Sequence, residues 1–157
     1  MTMPEQDIRH WRQQGAIRLY RAKRWRGEAW HLEGDAAGFD SLAELLRLMQ
    51  DAEYPIPRTL TISGPPAGAD LRFYRNYRYA KTWKIDFVRS ATERHWEWSG
   101  DTHHPVLHLG DELLAEFIDC LVDERCEDYG IGRKHKKCSN ITDLAEAELC
   151  FWRTMGP

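Results

Sequence analysis

The sequence predicts an α+β fold: an antiparallel sheet of about five or six strands built from hairpins, with helices packed on one face. Three observations point there. Short stretches with a two-residue apolar rhythm recur along the chain, split by turn-forming residues. Two longer stretches carry a helical apolar stripe. Runs of hairpins with few crossovers favour antiparallel pairing. The 157 residues, 42% of them hydrophobic, suit one domain covering 1–157 that can bury a core without disulfide or metal staples.

The elements follow in order. Residues 4–14 read as a short helix, with Pro4 near its start, Ile8 and Trp11 on one face and Gly15 as its stop. Residues 16–22 read as a strand with Ile17 and Leu19 inward. Gly27 closes a hairpin loop, and residues 28–33 return with Trp30 and Leu32 inward and His31 and Glu33 outward. A helix is expected from Asp40 or Ser41, where Ser41 and Glu44 fit a capping box. Its stripe is Leu42, Leu45, Leu46 and Met49, and Pro55 and Pro57 end it. Residues 59–63 form a short strand with Leu60 and Ile62 inward.

Residues 83–89 form a strand with Trp83, Ile85 and Phe87 on one face, and residues 94–98 return with Trp96 and Trp98 inward. Residues 106–109 add a short strand. The strongest helix runs from Asp111 to about Arg125, with Leu113, Leu114, Phe117, Ile118, Leu121 and Val122 as its apolar face. Residues 129–139 read as a loop and residues 142–152 as a last helix. The stretch 28–35 resembles 94–101, since both contain Trp and end in Gly-Asp, so the chain also reads as two ββα units.

Several classes are excluded or unsupported. No run approaches the roughly 20 apolar residues of a membrane-spanning helix. The first ten residues hold no apolar signal-peptide core, so a cytoplasmic protein with reduced thiols is expected. No phosphate-cradling glycine loop, dinucleotide fingerprint or metalloprotease motif is present, and no cofactor is expected.

Charge is the most uneven property. The formal net charge is -3. Residues 1–100 hold 16 Lys and Arg against 13 Asp and Glu, whereas residues 101–157 hold 6 against 12. Glu112, Glu116, Asp119 and Asp123 fall on one helical stripe, extended by Glu124. Like charges four apart cost a helix about 0.2–0.5 kcal/mol per pair. Acids near a helix C-terminus also oppose its dipole. The stripe therefore suits a basic protein partner, with the chain acting as a non-catalytic inhibitor or immunity-type protein. Its alternatives are a metal ion, a solvated face or satisfaction by the loop Arg133, Lys134, His135, Lys136 and Lys137. Trp25, set between Arg24 and Arg26, has the composition of an interface anchor, or else it folds over the sheet edge.

A second function class is nucleic-acid binding. Arg21, Lys23, Arg24 and Arg26 crowd the first hairpin, and Arg72, Arg75 and Arg78 interleave with aromatic residues. The same pattern also describes a half-buried strand whose Arg stems cover rings, and the acidic balance opposes it. A third class is a small hydrolase using His103, His104 or His108, oriented by Asp101. Cys126, His135 and Cys138 could offer three metal ligands, but they lack the close Cys pair and fourth ligand of a zinc site, and no metal is expected.

Overall fold

The structure, a computed structural model, describes residues 3–24, 27–53, 56–63, 78–79, 84–90, 96–99, 104–122, 129–132, 137–138 and 147–153. Its elements are α1 (Met3–His10), β1 (Ile17–Arg24), β2 (Gly27–Gly34), α2 (Ala36–Asp51), β3 (Arg58–Thr61), β4 (Arg78–Tyr79), β5 (Lys84–Ser90), β6 (Trp96–Ser99), β7 (Val106–Gly110), α3 (Asp111–Val122), β8 (Tyr129–Gly132), β9 (Lys137–Cys138) and β10 (Ala147–Arg153). The α+β class holds. No helix among the described residues is long and apolar enough to cross a membrane.

The described strands do not form one antiparallel sheet. They divide into two, ordered β4-β1-β2-β10-β8-β9 and β3-β5-β7-β6. Each sheet contains one parallel pairing, β2 with β10 and β5 with β7. Local alternation tells which face of a strand is apolar, but not which strand lies beside it. Because β6 hairpins back onto the far side of β7, β5 and β7 become parallel neighbours.

Residues 147–153 are a strand, not the helix expected over 142–152. Leu149 and Phe151 are fully buried, at alternate positions of β10. Leu-Cys-Phe-Trp is a short apolar run that fits either period, and the tertiary setting beside β2 decides it. The expected loop over 129–139 contains β8 and β9.

The inner faces of both sheets share one apolar core with the helices. Ile17, Leu19, Trp30, Leu32, Leu149 and Phe151 enter it from the first sheet. Leu60, Ile62, Ile85, Phe87, Leu107 and Leu109 enter from the second. Between them α2 supplies Phe39, Leu42, Leu45, Leu46 and Met49, while α3 supplies Leu114, Phe117, Ile118 and Leu121. Phe117 meets Phe151 with ring centroids 4.6 Å apart. Val122 departs from its expected inward place and is 37% exposed.

The start of α2 lies earlier than the capping box implied. Asp35 is its N-cap, accepting a hydrogen bond from Gly38 N at 2.7 Å. The same carboxylate oxygen accepts from Ala16 N at 3.1 Å, and Asp35 N–H donates back to Ala16 O at 3.2 Å. One side chain thereby starts α2 and anchors the entry to β1. Gly15 makes the approach possible: its φ is +67°, and a Cβ there would collide with Gly38 N and Asp35 Oδ1. Ser41 lies buried inside α2, where its hydroxyl accepts from Gln14 N at 2.9 Å.

The resemblance between 28–35 and 94–101 does not mark equivalent places. The first stretch leads straight into α2, whereas β7 intervenes before α3. The counterpart of Gly34-Asp35 at the head of α2 is Gly110-Asp111 at the head of α3. Replacing Asp35 by Ala should lower stability by about 1–2 kcal/mol, with Asn retaining most of it, as read from urea denaturation midpoints.

Candidate functional site

The acidic face of α3 is built from the core outward. Burial of Leu114, Phe117, Ile118 and Leu121 fixes the helix rotation, which leaves Ala115, Glu116 and Asp119 exposed. Glu112 belongs to α3, four residues before Glu116 in the sequence. Asp123, Glu124 and Trp25 lie outside the described residues, as do Arg133, Lys134, His135 and Lys136, the first four residues of the basic loop.

Asp111, at the head of the helix, has a separate role. Arg89 Nε donates to its Oδ1 at 2.5 Å and Arg89 Nη2 to its Oδ2 at 2.9 Å. Arg89 Nη1 also donates to Met49 O at 3.0 Å and to Ala52 O at 2.5 Å. One guanidinium therefore joins the Met49 carbonyl in the last turn of α2 and the C-cap carbonyl of Ala52 to the carboxylate at the head of α3. The hydrogen bond from Arg89 holds the Asp111 carboxyl below its ordinary range, and the guanidinium is raised in turn. A signal for this pair exists in the sequence. The alternation that turns Ile85 and Phe87 inward also points Arg89 toward the core side, where a cation needs an acid.

Within the histidine cluster, His104 contacts a carboxylate of β5. His104 Nε2 lies 2.8 Å from Asp86 Oδ2, and the Thr59 hydroxyl donates to Asp86 Oδ1. Burial alone would raise the Asp86 pKa, but the Thr59 and His104 hydrogen bonds outweigh it and lower the group. Asp101 and His103 lie outside the described residues. His104 is 68% exposed at its side chain. His108 is half-buried on β7, with Glu97 of β6 at the paired register position.

The cationic residues are only partly brought together. Arg21 of β1 and Arg78 of β4 share a register position. The Arg21 guanidinium lies 5.5 Å from the centre of the Trp30 ring. Lys23 and Arg24 pair in register with Glu28 and Gly27, and Arg26, Arg72 and Arg75 lie outside the described residues. The neighbouring outward face of β1 and β2 carries a buried polar group instead of the exposed one expected. Tyr20 stacks on His31 at 5.3 Å and donates to Glu33 Oε2 at 3.1 Å, with Arg18 4.0 Å from Glu33.

Cys126 and His135 lie outside the described residues, and Cys138 is on β9. Among the described residues, no group of three or more His, Cys, Asp or Glu is placed to hold a metal ion. Comparison with protein-family models, curated proteins and solved structures finds no match for this chain.

Two outcomes follow from the Arg89 and Asp86 contacts. Replacing Arg89 by Met should cost about 2–3 kcal/mol in denaturant unfolding, because a carboxylate and two helix-end carbonyls lose a charged donor. Asp111 and Asp86 have lowered folded pKa values, so their stabilising effect is complete above the ordinary carboxylate range and is lost as pH falls through it. Thermal melts should thus decline below about pH 4, and more shallowly in Asp111→Asn.

Proposed function

We propose that this protein binds a basic macromolecular partner through the acidic face of α3, in the manner of an inhibitor or immunity-type protein. The observation carrying this reading is that α3 buries its apolar side completely at Leu114, Phe117 and Leu121 and turns Glu116 and Asp119 to solvent. Arg89 is engaged at Asp111, at the first turn of the helix. Glu112, Glu116, Asp119, Asp123 and Glu124 would supply the field, with Trp25 as an apolar anchor. A one-signed surface speeds capture of an oppositely charged partner and makes it sensitive to salt. A cation-lined nucleic-acid-binding site on an effector protein has the complementary chemistry.

Neutralising Glu112, Glu116, Asp119 and Asp123 as amides tests this. Association with a partner co-purified from the native cell should slow and lose its salt dependence, while the melting temperature stays equal or rises. A marked loss of stability would instead make the basic loop at 133–137 their structural partner and overturn the reading.

A second reading rests on the Asp86–His104 contact. A carboxylate that fixes one imidazole nitrogen leaves the other available as a base, the arrangement of a small hydrolase. A hydrolytic activity with a pH profile that is abolished in both His104→Gln and Asp86→Asn would support it.

A further inference from the structure

Among the described residues of the second sheet, two arginines turn toward the core side, and only one of them meets a carboxylate. Arg89 is paired with Asp111. Arg58 lies opposite the buried Phe87 in the register of β3 and β5, on the same side as the buried Leu60, so strand alternation sends it inward as well. It finds a ring and a carbonyl instead of an acid. Its guanidinium lies 5.7 Å from the centre of the Trp11 ring, and Nη2 donates to Trp11 O at 3.0 Å. Arg58 Nε is buried without an acceptor.

A second guanidinium reaches the same oxygen. Arg12 Nη1 donates to Trp11 O at 3.0 Å and to His10 O at 3.4 Å. The donor nitrogens of Arg12 and Arg58 are therefore no more than about 6 Å apart. Among the described residues, no carboxylate lies within 4 Å of either guanidinium. Their shared acceptor belongs to the end of α1, and a helix C-terminus carries only about half an elementary negative charge. Two guanidiniums exceed it by roughly one and a half charges, and Arg9 and His10 stand in the last turn of the same helix. The donors that remain face outward: Arg12 is exposed, and Arg58 Nη1 is neither bonded nor buried.

We propose that Arg12 and Arg58 form a binding site for a phosphate-type dianion, held between the two guanidiniums at the end of α1. The charge excess selects a dianion, because a single carboxylate leaves part of it uncompensated. Contacts of about 2.8 Å from each guanidinium to separate oxygens of one tetrahedral anion span the gap between the donors. The platform under the site is fixed, since Trp11 Nε1 donates to Ser41 O at 3.1 Å and the Trp11 ring is buried beneath Arg58. A free phosphate ion and the phosphate of a monoester present the same chemistry here.

Calorimetric titration of the full chain with inorganic phosphate tests this, with ionic strength held constant by sodium chloride. One phosphate should bind per chain, and affinity should fall at least about tenfold in Arg12→Met. Arg12 is exposed, so that variant should keep nearly the wild-type melting temperature. Arg58→Lys keeps a cation, loses the planar fork and should also weaken binding. Methyl phosphate binding as tightly as inorganic phosphate assigns the site to a monoester, and binding of inorganic phosphate alone assigns it to the free ion. Absence of saturable binding, equal phosphate affinity in the wild type and both variants, or displacement of phosphate by an equal concentration of acetate overturns the proposal.

Discussion

The packing of this protein depends on the inward-turned Arg89. The strand alternation that buries Ile85 and Phe87 carries Arg89 toward the apolar side, where an unpaired guanidinium would be costly. Its charge is met by the two oxygens of Asp111 and its remaining donors by Met49 O and Ala52 O. The end of α2, the start of α3 and the end of β5 are thereby set in one place. The apolar contact between α2 and α3 then brings the two sheets onto a shared core.

Asp35 plays the corresponding part at the opposite end of α2. It caps the helix and holds Ala16, so the hairpin and the helix cannot shift independently. Both helices thus follow a Gly-Asp step at the end of a strand, yet the two carboxylates act differently. Asp35 accepts from backbone N–H groups, as an N-cap does. Asp111 faces a side-chain cation. The shared dipeptide reflects a shared need to end a strand and begin a helix.

With Asp111 committed to the fold, Glu116 and Asp119 are the acidic residues of α3 described as exposed. Exposed Glu116 and Asp119 lie outside the apolar core. The cations of the first hairpin sit in a more structured environment: Arg21 lies over Trp30, and Arg18 approaches Glu33.

The sequence by itself determined the faces of most elements. Ile17 and Leu19, Ile85 and Phe87, and the stripe at Leu114, Phe117, Ile118 and Leu121 all lie where their periods put them. These are local properties of a pleat or a helical turn. Tertiary structure decided which strands are neighbours, the strand at Ala147–Arg153, the partnership of Arg89 with Asp111, and the contact of Asp86 with His104. Each of those joins residues far apart in the chain. A period of two or of 3.6 sets which way a side chain faces, but long-range register and packing select what it meets.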